Sequence, residues 1–547
     1  MHLDTIPKEW DLIVIGGGVT GAGILREAVR MNLRVLLVEQ KDFAWGTSSR
    51  SSKLIHGGLR YLKEGHFMLT RDAVKERERL LEEAPGLVEP LDFLVPVYKN
   101  RGPGKWVLEA GLSIYDLIAH KRQHRFYPVS EFVELAPHID RKELVGGFCF
   151  VDAQVDDARL VLRLIDEAVQ LGAYALNYTT AAQIVRDSKG KVSGLNVEDI
   201  ETHQAKTLST RAVINATGAW AEALHRSPEP NLHLRPLRGS HLVFSSRVLP
   251  IDKAVSFIHP ADNRAAFVIP WEGVVIVGTT DLDHRQDLAV EPAITREEVL
   301  YLMEGLKTLF PALDISLENC ISSYAGVRPV LSKGKLAPSA ESREHVIWED
   351  NGLVTITGGK LTTFRKMAHA ALNAAKPFLP RGQFFDNNEP VFSPVPQTPE
   401  KCYGLSSEIW HHLYGRYGAS ADKLVSTAAP QDLTPIPGTH TLWAELPFAA
   451  RHEKVRHLDD LLLRRVRIGL LTPQGGKAHM NRIKKLCAPV LPWNRKQWNQ
   501  EIKRYFARWK HAHALPIGLA DDLQAQKPFS IKRIRTLMSS YYRKFFS

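Results

Sequence analysis

Three glycines stand at Gly16, Gly18 and Gly21 in the order G-x-G-x-x-G, and an acid, Glu39, follows 23 residues after Gly16. Types and spacing like these can hold a dinucleotide. The first glycine permits a tight turn, the second lets a pyrophosphate approach the backbone, and the third lets a helix pack closely on a strand. An acid at the position of Glu39 can accept from a ribose hydroxyl. The next stretch crowds Thr47, Ser48, Ser49, Ser51, Ser52, Lys53, His56, Arg60 and Tyr61 among apolar Leu54, Ile55 and Leu59. Such mixing suits a loop that runs past a ligand. The plainer alternatives are a glycine-rich turn without a ligand and a polar loop capped by a short helix.

These residues work only if the elements around them are right. Leu12 to Ile15 reads as a buried strand, the segment after Gly21 as a helix, and Arg34 to Val38 as a second strand ending in Glu39. The helix N-terminus then offers unpaired N–H groups to phosphates. Residues 66–84 read as a charged helix, 93–98 as a strand, and the stretch after 152 as a turn and helix with Asp156 as its cap. Residues 177–199 read as a β-meander and 211–220 as a strand ending in Ala216-Thr217-Gly218, where small residues let a ligand come close. A hairpin is expected over 267–284, and a strand, a Gly-Gly turn and a helix start over 353–368.

The chain has 547 residues, enough for two or three domains, with a net charge of +11 and a pI near 9.3. A basic balance of this size points to an anionic partner: a membrane surface, a nucleic acid or a phosphorylated substrate. Four cysteines lie far apart with no C-x-x-C pair, which argues against zinc and iron–sulfur sites and for a reducing compartment; no metal is expected. A strand beginning by Leu12 leaves no space for a signal peptide, and no run of 18 apolar residues offers a membrane span. Near the C-terminus, Trp498, Ile502, Phe506 and Trp509 share a helical face ringed by Lys503, Arg504, Arg508 and Lys510. From Pro528 onward the chain is basic without acids, and Ile531, Ile534, Met538, Tyr541 and Phe545 recur at helical spacing. That pattern fits an anionic membrane surface, and equally a helix packed on its own domain or on a second subunit of a homodimer.

The pairing of IGGGVTGAGI with TSSRSSKLIHGGLRYL resembles the FAD-dependent glycerol-3-phosphate dehydrogenases, flavoproteins with a D-amino-acid-oxidase-like fold. VDDARLV, RPLRGSHLVF, YAGVRPVL and LVTITGGKLTTFRKMA follow in the family's order, and the likeness runs from about residue 8 to 470. It implies an α/β fold, α+β overall: a Rossmann-like FAD-binding domain (8–95, 150–235, 320–375), an interleaved antiparallel-sheet substrate domain (96–149, 236–319) and a C-terminal helical domain (396–547) with a basic amphipathic end. The implied cofactor set is Gly16, Gly17, Gly18, Gly21, Glu39, Thr47, Ser48, Ser49, Lys53, Leu54, His56, Ala216, Gly218 and Gly359. The expected reaction is oxidation of sn-glycerol 3-phosphate to dihydroxyacetone phosphate, with hydride passing to the flavin.

A phosphate monoester needs Arg or Lys around it. The candidates are Arg60, Arg328, Arg343 and Lys360, and the resemblance adds Tyr61 and Thr362 as neighbours. His241 is the first choice for taking the proton, since histidine titrates near working pH; His56 is second and is expected against the flavin. Arg328 would polarise the forming alkoxide. A helix starting near Leu361 would aim its N-terminus at the flavin pyrimidine ring and favour an anionic reduced form. The expected acceptor is a membrane quinone, with the protein cytoplasmic and attached peripherally to the inner face of the cell membrane. The chain lacks the cysteine-bearing module and EF-hand loop of other family branches. Competing readings are an oxidase using oxygen, whose extra insertion is not found here, a flavoprotein for another hydroxy acid or amine, and a nucleic-acid-binding flavoprotein. No nucleic-acid motif is visible.

Overall fold

Leu12–Ile15 and Val35–Val38 are apolar without a break and buried along their whole length. Such runs belong in a parallel sheet covered on both faces. A computed structural model describes residues 3–59, 67–225, 227, 233–332, 344–380, 388–396, 399 and 401–516. In it these strands sit in a six-stranded sheet ordered His345–Asp350, Leu353–Gly358, Val213–Asn215, Leu12–Ile15, Val35–Val38, Tyr174–Leu176. Every pairing is parallel except the first. Strand alternation divides the covering layers. Leu12, Val14, Leu37 and Ile356 pack on helices Val19–Arg30, Asp157–Gln170 and Phe364–Ala375. Ile13, Ile15, Leu36 and Val38 pack on Val192, Leu195, Val197 and Leu208 of an antiparallel meander. The Asp156 carboxylate accepts from the Arg159 N–H and so caps its helix as expected.

A second sheet of ten strands carries the other wall of the site. It is mostly antiparallel, with Ala254–Ile258 running parallel to Val88–Tyr98. Its Ala265–Trp271 and Val274–Gly278 strands form the expected hairpin, turning through Glu272 and Gly273, both at positive φ. Val88–Tyr98 and Leu144–Val155 run unbroken through two of the boundaries drawn from sequence. Cys320–Ser332, placed from sequence in the cofactor domain, pairs along His233–Ser245 of this sheet.

Helices Ser407–Tyr417, Ser420–Thr427, Glu445–His452, Met480–Cys487 and Arg495–Ala512 make up the C-terminal region. Buried ion pairs tie it to the rest. Arg464 and Arg465 hold Asp42, Arg467 holds Asp156 and Asp157, and Arg416 bridges Asp156 and Glu445. Removing one member would leave a buried charge uncompensated, at a cost of about 3–5 kcal/mol. Helix Arg495–Ala512 packs inward: Trp498 and Tyr505 are buried, and Arg504 and Arg508 pair with Asp459.

Candidate active site

A cavity of about 1190 Å³ runs between the two sheets. At one end the glycine turn forms a cradle. Gly16 has φ +110°, and a Cβ there would lie 2.7 Å from the Ala216 carbonyl oxygen. A Cβ on Gly21 would lie 1.9 Å from the Gly16 oxygen, so the third glycine is what seats the helix on its strand. Gly18 precedes the first turn of Val19–Arg30, and the Val19 N–H donates to Ser48 Oγ (3.0 Å). Glu39 follows its strand at the cavity wall and accepts from the Gly17 N–H (2.7 Å) and the Lys41 N–H (2.8 Å). Burial raises its carboxyl above the usual range against the pull of those two donors.

The loop after Glu39 is held from beneath. Lys53 is fully buried; its Nζ donates to the Ser49 carbonyl (2.7 Å) and to both Asp157 oxygens (2.9 Å). Burial pushes this lysine down to about 8. Asp152 fixes the loop's other end, accepting from the Gly57 N–H (3.1 Å), Arg77 (2.7 Å) and the Tyr115 hydroxyl (3.1 Å). Between these anchors Ser52, Leu54 and His56 line the cavity. The Thr362 hydroxyl donates to the His56 carbonyl (3.2 Å) and joins the loop to the turn Gly358–Gly359, both at positive φ. The helix beyond that turn runs from Phe364, three residues later than its sequence suggests, so Gly359, Lys360 and Thr362 line the cavity just ahead of its N-terminus.

The opposite wall carries Arg328. Its guanidinium donates to Asp281 Oδ1 (3.0 Å), Thr279 Oγ1 (2.9 Å) and the Thr280 carbonyl (3.4 Å). His241, on the neighbouring strand, does not line the cavity. It is buried, stacks on Tyr324 with ring centroids 4.5 Å apart, and places Nε2 2.9 Å from the Ser52 hydroxyl oxygen, which does line it. Burial, then the charges of Arg328 and Lys53, hold its pKa well below the ordinary histidine value, so the ring is neutral.

Of the residues singled out from sequence, Gly16, Gly18, Glu39, Thr47, Ser48, Leu54, His56, Ala216, Gly218, Arg328, Gly359, Lys360 and Thr362 come together on this one cavity. Gly17, Gly21, Ser49 and Lys53 stand behind its wall as supports. Arg60, Tyr61 and Arg343 lie outside the described residues, as does the basic segment from Pro528. Ser52 stood only among the groups of the loop expected to pass a ligand, with no role of its own, and Asp281 and Arg264 had none either, though the run Gly278-Thr279-Thr280-Asp281 at a strand end was a signal for Asp281.

Fold and cavity together define a dinucleotide-binding protein: a strand, a glycine turn packed against the chain's own backbone, a helix and an acid meet at one end of a cavity large enough for such a ligand. The family model described as FAD dependent oxidoreductase matches residues 11–365, and that of the C-terminal domain of alpha-glycerophosphate oxidase matches residues 362–498. The aerobic glycerol-3-phosphate dehydrogenase of Staphylococcus haemolyticus (strain JCSC1435) is 32% identical over 521 residues, 91% of this chain and 93% of that protein. Its namesake from Staphylococcus aureus (strain MRSA252) is 33% identical over 482 residues, 84% and 86% of the two chains. The solved structure of the glycerol-3-phosphate dehydrogenase from Bacillus halodurans complexed with FAD matches with a TM-score of 0.75 at 27% identity, over 93% of this chain and 96% of that one. The L-alpha-glycerophosphate oxidase from Mycoplasma pneumoniae with FAD bound shares the fold (TM-score 0.55, 19% identity, 71% and 100% of the chains). The chain belongs to the FAD dependent oxidoreductase family and, within it, to the aerobic glycerol-3-phosphate dehydrogenases. FAD is its cofactor.

Proposed function

We propose that this protein oxidises sn-glycerol 3-phosphate to dihydroxyacetone phosphate while attached to the inner face of the cell membrane, and that a membrane quinone receives the electrons. The reading rests on one observation above all: Arg328 and Lys360 face the same cavity as the glycine cradle and Glu39. Gly16, Gly18, Glu39 and Gly359 would hold FAD, which when bound would supply the hydride-accepting chemistry. The chain's own groups do the rest. Lys360, with Arg60, Tyr61, Arg343 and Thr362 on sequence grounds, binds the phosphate. Arg328 sits with the substrate hydroxyl and stabilises negative charge as its proton leaves. Ser52 passes that proton to the neutral His241 ring, whose Nε2 lies 2.9 Å from Ser52 Oγ. The first turn of Phe364–Ala375, just beyond the cavity-lining Gly359, Lys360 and Thr362, would add positive potential to this end of the cavity.

Helix Lys105–Ala119 supports the membrane and quinone parts of the reading. Its outer face is apolar, with Trp106 78%, Val107 68% and Leu117 72% exposed, beside Met68 at 66%. Exposed Lys121 and Arg122 follow it. Apolar surface rimmed by cations suits the headgroup boundary of an anionic bilayer. Leu108, Gly111 and Ile114 of the same helix line the cavity, so an acceptor dissolved in lipid would meet an apolar approach. No helix among the described residues is long and apolar enough to cross a membrane. The test is reoxidation of substrate-reduced enzyme. A short-chain quinone is expected to restore the yellow colour far faster than dissolved oxygen; equal or faster recovery with oxygen would make the protein an oxidase.

A further inference from the structure

We propose that Asp281 is a positioning residue that shares its carboxylate between two arginines, and that the second of these, Arg264, reads the charged end of the substrate. The inference rests on the proposal above that the cavity takes a phosphorylated alcohol. Asp281 is buried, its side chain 2% exposed, yet it borders the cavity. Its Oδ1 accepts from Arg328 (3.0 Å), and its Oδ2 faces the Arg264 guanidinium (3.5 Å). Both arginines border the same cavity. Two forks set against the two oxygens of one carboxylate stand side by side, as a hydroxyl and a phosphate on adjacent carbons would require.

The Arg328 fork is held from more than one side, and the backbone that carries Arg264 is pinned. Arg328 lies flat over Gly239, where a Cβ would come within 2.3 Å of Nη2, and Thr279 and Thr280 fix its other edge. Arg264 projects from the turn joining Ala254–Ile258 to Ala265–Trp271. That turn is pinned by the His259 N–H on the Arg264 carbonyl (2.8 Å) and the Arg264 N–H on Asp262 Oδ1 (3.1 Å). Asp281 occupies only one side of the Arg264 fork, and a guanidinium carries five donors. One buried carboxylate in a cavity that must bind a dianion would be a liability unless it orders the cations. Set against Arg328, Arg264 and Lys360, it leaves the site positive and the two forks mutually oriented rather than repelling.

The test uses the FAD-loaded full chain and two readouts: calorimetric titration with inorganic phosphate, and the limiting rate of anaerobic flavin reduction by sn-glycerol 3-phosphate. Arg264→Gln is expected to weaken phosphate binding about tenfold or more and leave the limiting rate within about twofold. Gly239→Ala, which displaces Arg328 without touching Arg264, is expected to do the reverse. Asp281→Asn is expected to move both, at unchanged flavin content and melting temperature, with Asp281→Glu recovering part of each. Unchanged phosphate binding in Arg264→Gln, or an Asp281→Asn enzyme that matches the parent in both readouts, would overturn the inference. Should the parent bind phosphate but fail to be reduced, the substrate reading falls, and the titration still decides the role of Arg264 and Asp281.

Discussion

Ser52 lines the cavity and holds its hydroxyl oxygen 2.9 Å from His241 Nε2. If the proton travels that way, Ser52→Ala should cut the limiting rate of flavin reduction by about 100-fold while substrate affinity holds, because a positioned proton acceptor contributes on that order. Stopped-flow reduction across substrate concentrations separates the two. The depressed pKa of His241 keeps its basic form populated as the pH falls, so the acid limb of the limiting rate should lie below the ordinary histidine range. Little of this was legible in the sequence. His241 was picked for its titration alone, and which way it faces depends on the pairing of His233–Ser245 with Val274–Gly278 and Cys320–Ser332. Lys53 reads as a ligand contact, yet its partner is Asp157, 104 residues away. Long-range charge pairs leave no local spacing to read. The glycine turn was legible because its constraints are local: Gly16 and Gly21 are demanded by the backbone around them.

At the scale of elements, His457 clamps three pieces together. Its ring meets Glu201, in the turn after Val192–Asp199, and Glu501 on helix Arg495–Ala512. Burial opposes its charge, but these carboxylates raise it to about 9. A histidine whose folded pKa is raised stabilises fully below its unfolded value near 6.5 and loses that contribution as pH climbs through about 9. The clamp should therefore add about 2 kcal/mol at pH 6 that is gone by about pH 10, after allowance for partial screening. Melting temperatures of the parent and His457→Gln should differ at the lower pH and converge at the higher one; a constant gap would contradict this. Elements were the most legible level. The strand, glycine turn and helix at 12–30, the Asp156 cap and the hairpin through Glu272 and Gly273 all follow from short-range pattern. What escaped was sheet membership. Cys320–Ser332 reads as a strand, but only its partner shows which sheet it completes.

Seen whole, the molecule puts an exposed apolar helix, Lys105–Ala119, beside the cavity that holds the site. From sequence, membrane contact is expected at the basic C-terminus, because basic amphipathic stripes are visible locally. Lys105–Ala119 reads locally as a linker and helix, and only the fold shows which of its faces is left uncovered. Leu117→Glu together with Trp106→Ser should lower co-sedimentation with anionic lipid vesicles several-fold and slow reoxidation by lipid-dissolved quinone, with flavin reduction unchanged; undiminished vesicle binding would remove this helix from the account. The central claim, that a flavin and a cation-lined pocket in one cavity serve the oxidation of a phosphorylated alcohol, has a more direct test. Anaerobic addition of sn-glycerol 3-phosphate to the yellow protein should bleach the flavin band near ~450 nm within the mixing time of a manual assay, while glycerol and the opposite enantiomer leave it intact. A flavin-loaded protein that stays yellow with sn-glycerol 3-phosphate, or bleaches equally with glycerol, would contradict it.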